Sequence, residues 1–464
     1  MKKSNFLNSV PVGTEREQAN FMKIHFIGIG GIGVSALARH HLQNGEQVSG
    51  SDLSDSELIL ALKNSGVQIT VGPSSADNLP EDIDKVIYSP AVKKGNPEFD
   101  AAIAMQGKNP NLEILSYPQA LGQLVRDHFT IAVCGTHGKS TTTSMIGLML
   151  MAAGYDPTIV VGTKLKELGN SNYRKGASKY LVIEACEHEA SFLNYWPKII
   201  VLTNIEADHL DYYKNLENIF KSFREFIGHL PSDGLLIANA DDANTEKVLA
   251  SQNNNFKISK YSLSQPEAEE LKKILKVPGE HNISNALSAL SVARAIGIDD
   301  AKAFESLSYF SGTWRRFDIE EKKTGDKNIT LISDYAHHPT EIRATLKAGR
   351  EKYPQKDIVC AFQPHQYQRT HLLFDDFVKT FQEALANGWI NKLLVTDIYD
   401  VAGREDENIK KMVSAEKLVN AMENDNAVYA KKENLKEKTI ASIKNGSVLI
   451  IMGAGSIYGL KDQL

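Results

Sequence analysis

The sequence predicts an α/β protein of three domains: a Rossmann-like first domain, a central P-loop domain on a parallel sheet, and a Rossmann-like last domain. Three observations predict it. The chain has 464 residues, too many for one ordinary core. Short apolar runs alternate with helical stretches three times over. Two glycine loops of phosphate-binding type each stand between a strand and a helix.

Composition narrows the function classes. Apolar residues make up 42% and charged residues 23%, as in soluble globular proteins. A net charge of −5 provides no basic field for nucleic acid. No apolar run reaches membrane-spanning length. Cys134, Cys186 and Cys360 are widely spaced and form no metal or redox pair, which fits a reducing, cytoplasmic compartment. Residues 1–20 have a basic start but no apolar segment behind it, so they read as a polar extension and not as a signal peptide.

The first unit, residues 21–125, opens with KIHFIGIGG as a strand running into a glycine turn. VSALARHHLQNG follows as a helix, and QVSGSD and KVIYSP as further strands. The second, 126–312, opens with FTIAVCG as a strand, THGKS as a turn and TTTSMIGLMLMAAG as a helix. YLVIEA, IIVLTNI and GLLIAN are near-continuous apolar strands, suited to a parallel sheet covered on both faces. The third, 313–464, has ITLISDYA, DIVCAFQP, KLLVTDIYD and VLIIMGAG as strands.

The first loop spaces Gly28, Gly30 and Gly33 as G-x-G-x-x-G, and Asp52 stands 19 residues beyond at the end of the next strand. Glycines there admit a pyrophosphate to a helix N-terminus, and the acid can bind a ribose. Alone, this pattern indicates an NAD-dependent dehydrogenase; a UDP-sugar satisfies it equally. The second loop is Gly135-Thr136-His137-Gly138-Lys139-Ser140. Backbone N–H groups cradle phosphates, Lys139 spans the β/γ oxygens and the Ser140 hydroxyl reaches magnesium. Val133 stands where a longer consensus has its first glycine, so the loop is shortened. An enzyme that uses ATP on a nucleotide-linked substrate needs both loops.

Glu184 ends one strand, and His209 follows another, where α/β sheets place their ligands. With Ser140 they can converge on magnesium. Glu187, His188, Glu189, Asp208 and Asp211 read as surface or supporting charges. His281 and Asn285 lie four apart on one helix face and can read adenine; capping by Asn282 or Ser284 accounts for the polar residues as well. Arg315 and Arg316 stand at a domain boundary, able to reach γ-phosphate or to form an interdomain salt bridge. Asp334, Tyr335, His337, His365 and Arg369 offer donors near one sheet edge, suited to an amino acid carboxylate. The His337-His338 pair hints at zinc, but the sequence offers no ligand cluster to complete it.

Together these residues resemble the Mur ligase family over nearly the whole chain after residue 20. The segments that carry the resemblance are HFIGIGGIGVSALA, GTHGKSTTT, EACEHEASFL, TNIEADHLDYY, GEHNISNALSA, GTWRRFD, DYAHHPTEI and FQPHQYQRT. The resemblance implies a ligase of cell-wall precursor synthesis, joining L-alanine to the lactyl carboxylate of UDP-N-acetylmuramate through an acyl phosphate, with ATP and Mg2+. It implies UDP-sugar contacts at Gly28, Gly30, Gly31, Gly33, Ser51, Asp52 and Ser89. It implies ATP contacts at Gly135, Thr136, His137, Gly138, Lys139, Ser140, Thr141, His281, Asn285, Arg316 and Asp334. Ser140, Glu184 and His209 match metal ligands, and Tyr335, His337 and Arg369 match amino acid contacts. Catalytic roles fall to Lys139, Glu184, His209, Arg315, Arg316 and His337. No nucleic acid or membrane partner is implied, and the state is monomer or homodimer.

Three positions depart from the family pattern. Only 17 residues separate Tyr261 from Gly279, Gln366 stands where many relatives carry a basic residue, and Gly72-Pro73 replaces a Gly-His pair. Gln366 keeps open a sister ligase that adds another amino acid or a recycled peptide. A dehydrogenase leaves Lys139 and Glu184 unexplained, and a nucleotide-binding protein without ligase activity has no use for the whole set.

Overall fold

The computed structural model describes residues 21–250, 255–400 and 407–464; the extension over 1–20 lies outside them. The described residues divide into two compact units. One runs to Ser116 apart from Ser35–Leu37, and the other holds those three residues with Tyr117–Leu464.

The first unit carries strands β1 (Lys23–Ile27), β2 (Gln47–Asp52), β3 (Gln68–Val71), β4 (Lys85–Tyr88) and β5 (Glu113–Ser116). They form one parallel sheet in the order β3-β2-β1-β4-β5. The order reverses between β1 and β4, and the glycine loop leaves the carboxyl end of β1 at that switch point, where such sheets bind ligands. Helix α1 (Ile32–Gln43) follows the loop. Ile24, Phe26 and Ile27 of the central strand are buried, as a strand covered on both faces requires. Helix α2 (Pro97–Lys108) starts where Asn96 accepts the N–H groups of Glu98 and Phe99 at 3.0 Å each, with proline in the first turn.

The second unit contains two sheets. Strands β6 (Phe129–Cys134), β7 (Thr158–Leu165), β8 (Ser171–Arg174), β9 (Tyr180–Glu184), β10 (Ile199–Leu202), β11 (Leu235–Asn239) and β12 (Lys257–Tyr261) take the order β12-β11-β10-β6-β9-β7-β8. Edge strand β8 is antiparallel. Helices α3 (Lys139–Ala152), α4 (Glu267–Ile274) and α5 (Glu280–Ile296) cover one face. There Met145 and Met149 of α3 meet Leu287 and Leu290 of α5 over Ile131, Val182 and Val201. The 17 residues after Tyr261 hold α4, whose Ala268 and Leu271 join this core, so the short connection is helical.

The last sheet comprises β13 (Asp318–Thr324), β14 (Lys327–Asp334), β15 (Ile358–Phe362), β16 (Lys392–Val395), β17 (Ala427–Tyr429) and β18 (Val448–Met452), ordered β13-β14-β18-β15-β16-β17. β13 pairs antiparallel with β14. Helices α6 (Pro339–Lys352) and α7 (Tyr367–Leu372) follow β14 and β15. The three sheets match the expected α/β class. Strands such as β3 and β13 were not anticipated. Their residues, QITV and DIEEKKT, are largely exposed, and hydrogen bonding to a neighbour defines them where an apolar run does not. No helix among the described residues is long and apolar enough to cross a membrane.

One buried hydrogen-bonded pair bears on the first unit's stability. Glu98 is fully buried and accepts from His25 Nε2 at 2.6 Å and Ser51 Oγ at 2.7 Å. Burial would raise the Glu98 carboxyl, but His25 and Ser51 outweigh it and hold it below the usual range. Glu98→Ala leaves His25 Nε2 and Ser51 Oγ buried without their acceptor, and we expect about 3 kcal/mol of destabilisation from that cause. Glu98→Gln, which keeps an acceptor, should lose less than half as much. Chemical unfolding of both variants checks this; equal losses would assign the effect to charge rather than to the lost acceptor.

Candidate active site

The phosphate loop is shaped by contacts that only glycine permits. Gly135 (φ +132°) and Gly138 (φ +84°) are both left-handed; a Cβ would meet Thr203 Oγ1 at 2.1 Å at the first and Asn285 Oδ1 at 2.4 Å at the second. Residues just past β10 hold the loop. Thr136 N–H donates to the Asn204 carbonyl and His137 N–H to Asn204 Oδ1, each at 2.9 Å. Thr203 Oγ1 donates to the His137 carbonyl at 2.6 Å.

Lys139 begins α3, and its Nζ donates to the carbonyls of Gly135 and Thr136 at 2.6 and 2.9 Å. It also pairs with Glu187 at 2.9 Å. Burial works against this charge, but Glu187 foremost outweighs it and holds the ammonium above its ordinary range. Glu187 is only 4% exposed, so the reading of it as a surface charge is corrected. Its oxygen cannot be in solvent while it neutralises a buried lysine.

Ser140 Oγ donates to Glu184 Oε2 at 2.7 Å, and the Gly162 N–H donates to the same oxygen at 3.0 Å. A hydroxyl and a carboxylate in contact beside a phosphate loop are hard oxygen donors of the kind magnesium takes. His209 is not on the same cavity. It lies along a small crevice of about 30 Å³ with Asp208, Gln366 and Arg369. Its Nε2 is 3.7 Å from Glu187 Oε1, so Glu187 stands between His209 and Lys139. Burial lowers the His209 imidazole to about 3, leaving it neutral as a metal ligand must be.

A cavity of about 350 Å³ extends from the loop. Thr136 to Thr141, Glu184, His281, Asn285, Arg316 and Asp334 line it, which brings together most of the residues expected at ATP. His281 stands at its exposed rim. Asn282 lines it too, but caps nothing: helix α5 begins at Glu280 on Gly279, and Asn282 Nδ2 donates back to the Pro278 carbonyl at 2.7 Å.

Arg315, expected beside Arg316 at the phosphates, turns elsewhere. It is 9% exposed, its guanidinium lies 4.8 Å from the ring centres of both Tyr335 and Tyr458, and it donates to the Gly453 carbonyl at 2.5 Å. Tyr335, expected at the amino acid, is the ring packed against both arginines, with Arg316 at 4.9 Å. Asp334 accepts the N–H groups of Phe317 and Ala336 at 2.8 and 2.7 Å, and burial pushes its carboxyl up to about 6.

Arg369 pairs with Asp208 Oδ1 at 3.1 Å and lies 3.3 Å from His365 Nδ1. Asp208 is therefore a half-buried supporting partner of Arg369. Burial would raise its carboxyl, but Arg369 holds it well below the usual range. His337 is pushed down to about 4 by burial, and its ring meets that of His365 at 5.9 Å.

His338 comes together with His137 and Glu206, their ligand atoms within 4.8 Å of one another. The sequence had offered no such cluster. His137 is pushed up to about 9: burial opposes its charge, and Glu206 and Glu341 outweigh that. Both its ring nitrogens face those carboxylates, at 3.4 and 3.0 Å. With both ring nitrogens of His137 turned to carboxylates, the cluster is a hydrogen-bonded network. Asn204, Glu206 and Glu341 were given no role in sequence. For Glu341 a signal existed: it follows His338 by three, the spacing of a capping box.

In the first unit a second cavity, of about 410 Å³, is lined by Gly28, Gly30, Gly31, Ser51, Asp52 and Ser89. Gly33 is not on it, being inside the first turn of α1. Asp52 Oδ2 accepts the Gly30 N–H at 2.8 Å, so in this structure the acid holds the loop. Gly72 and Ser74 complete the wall where Gly72-Pro73 departs from the family pattern.

Comparison with known proteins finds three family models along the chain. Residues 23–129 match the Mur ligase family, catalytic domain; 133–293 the Mur ligase middle domain; and 315–455 the Mur ligase, glutamate ligase domain. The chain is 38% identical to UDP-N-acetylmuramate–L-alanine ligase of Caldanaerobacter subterraneus subsp. tengcongensis, over 97% of this chain and 98% of that one. It is 39% identical to the ligase of that name from Clostridium acetobutylicum, over 95% and 97%. The solved UDP-N-acetylmuramate-alanine ligase of Thermotoga maritima superposes with a TM-score of 0.76 at 28% identity, covering 95% of this chain and 98% of that one. A murein peptide ligase of Psychrobacter arcticus gives 0.70 at 25%, covering 96% and 98%. On identity over the full length, on all three domains and on fold, the chain belongs to the Mur ligase family.

Proposed function

We propose that this chain joins L-alanine to the lactyl carboxylate of UDP-N-acetylmuramate, in the cytoplasm, with hydrolysis of ATP to ADP and phosphate. The observation that carries the reading is the contact of Ser140 with Glu184 beside Lys139, in a cavity whose far wall bears Arg316 and Asp334. A dehydrogenase has no use for that site. The relatives named above act on the substrates in their names, which favours the same substrates here.

The chemistry has two steps. A lactyl carboxylate oxygen attacks the γ-phosphorus and the bond to ADP breaks, leaving an acyl phosphate. The alanine amine then attacks the acyl carbon, loses a proton, and phosphate leaves. The residues contribute positioning and charge. Loop N–H groups and Lys139 hold the phosphates; Lys139 must exchange Glu187 for phosphate oxygens. Arg316 offsets the charge that gathers as two anions meet. Ser140 and Glu184 would hold magnesium, which would supply further charge neutralisation, while His209 faces the neighbouring crevice behind Glu187. His281 and Asn285 serve the adenine end. Arg369 and His337 serve the amino acid carboxylate, which takes the place Asp208 now fills at Arg369. The cavity of the first unit serves the UDP moiety.

A sister activity, adding another amino acid or a peptide to the same sugar nucleotide, draws support from Gln366. It lines the crevice beside Arg369 with φ at +71°. Phosphate release with ATP, magnesium and UDP-N-acetylmuramate, scanned over single amino acids and a tripeptide, decides. Release dependent on L-alanine supports the first reading, dependence on another acceptor supports the second, and dependence on none overturns both.

Two variants test the residue roles. Lys139→Ala should lower turnover by about 10³-fold, the scale of a lost phosphate-site cation, with UDP-N-acetylmuramate affinity unchanged within about twofold. Loss of sugar-nucleotide binding in folded protein would sink the division of labour between the cavities. Arg316→Ala should cost about 10²-fold in kcat. Arg315→Ala should instead lower stability by about 2 kcal/mol, the scale of a desolvated cation–π contact. Its folded fraction should retain most of its turnover. The reverse pattern, measured by thermal melts beside kinetics, would return Arg315 to the phosphates.

A further inference from the structure

Glu341 is the fourth residue of the His338-Pro339-Thr340-Glu341 segment that starts α6, and only 14% of its side chain is exposed. A helix cap needs one of its oxygens. Oε2 fills that role, accepting the N–H groups of His337 at 3.0 Å and His338 at 3.4 Å. Oε1 faces the other way. It accepts from His137 Nδ1 at 3.0 Å, and Arg316 Nη1 lies 3.8 Å from it.

One carboxylate therefore touches three segments: the phosphate loop through His137, the turn before β13 through Arg316, and the turn that carries His337. A second bridge runs parallel. Thr340 Oγ1 donates to Glu206 Oε2 at 2.7 Å, and that oxygen lies 3.4 Å from His137 Nε2. The His137 ring is thus clamped between two acids, both engaged by the first turn of α6. Its own carbonyl is tied to Thr203 and Asn204 on the opposite side. A shift of α6 cannot occur without moving the loop or breaking these bonds.

We infer that Glu341 is a positioning residue for phosphoryl transfer, coupling the placement of α6 and His337 to the phosphate loop through His137. The inference rests on the ligase reading and deepens it. Nucleotide and amino acid are then handled by one rigid arrangement, and the loop is aligned for transfer only while α6 is seated.

The test compares Glu341→Gln, Glu341→Asp, His137→Gln and the Glu341→Gln/His137→Gln double variant in full-length protein. Glu341→Gln keeps an amide oxygen for the cap, so its melting temperature should stay near the parent's. Its kcat should fall by about 10- to 100-fold, the scale of a small misplacement of reacting groups. Its KM for ATP should rise and its KM for UDP-N-acetylmuramate stay within about twofold. The double variant should be little worse than Glu341→Gln alone, because both changes cut one link. Glu341→Asp should recover part of the loss. Parental kcat and ATP KM in Glu341→Gln, or losses that multiply in the double variant, would overturn the inference. Absence of turnover in the parent would count against the ligase reading instead. The same cycle, read by the Kd of a fluorescent ATP analogue, then still tests the link, and equal Kd values across the set would refute it.

Discussion

A phosphate loop works only if its backbone N–H groups are fixed in direction before the ligand arrives. In this chain that constraint is met from outside the loop, by the four residues Thr203 to Glu206 that continue β10. Thr203 and Asn204 grip the peptide groups of Thr136 and His137 from both sides, and Glu206 N–H donates to Thr136 Oγ1 at 2.8 Å. The closeness of this grip leaves no room for a side chain at position 135. Because β6 and β10 are paired neighbours in the sheet, the loop and its clasp leave adjacent strand ends together. The sheet order is thus a precondition of the site, and the apolar runs that build the sheet are indirectly part of its chemistry.

Once the loop is in place, the site has a charge problem. Lys139, Glu184, Glu187, Asp208, Arg369, Arg316 and Glu341 lie in or against two linked hollows. An unpaired buried charge costs several kcal/mol. The structure resolves this by pairing within the protein: Lys139 with Glu187, Arg369 with Asp208, His137 with Glu341 and Glu206. Each cation that would hold an anionic substrate already holds an acid of the chain. Substrate binding is then an exchange of partners, not the filling of a bare positive hole, and the net gain is small enough for phosphate and product to leave. The neutral histidines fit the same logic. Burial holds His209 near 3 and His337 near 4, so neither adds a charge that needs a partner.

The parts of this arrangement that were legible in sequence share one property: they repeat a local pattern. The glycine loops, Lys139, Ser140 and the strand-end Glu184 are set by spacing along a strand–turn–helix unit, and, Gly33 and Gly135 apart, the structure places them in lining positions. The apolar strands β1, β6, β9, β10, β14, β15 and β18 were visible because burial on both faces writes a continuous apolar run. Edge strands β3 and β13 were not, because their place depends on a neighbour's free N–H and C=O groups. The same limit hid the roles of Asn204, Glu206 and Glu341 and the partner of Glu187. Their roles come from partners 48 to 204 residues away, and no local pattern encodes which distant lysine or histidine an acid will meet. It also left the catalytic role open to both Arg315 and Arg316, adjacent arginines that differ in which way the chain turns.

That turn shows how strain and function meet. Arg315 and Phe317 both adopt positive φ, +57° and +52°, a conformation that costs a non-glycine residue on the order of 1 kcal/mol or more. The bends face Arg315 and Arg316 in different directions. The surroundings offset the cost at each bend. Arg315 is held between Tyr335 and Tyr458 and bonds to Gly453, while Asp334 accepts the Phe317 N–H. The Arg316 N–H donates to the Thr313 carbonyl at 3.0 Å, and its guanidinium approaches Tyr335 and Glu341. The strained neighbours are fixed so that the one residue between them can face the cavity without being tied there. An arginine that must meet charge only as it develops is best placed by its neighbours, because any bond strong enough to hold its own guanidinium would have to be broken at the moment of transfer.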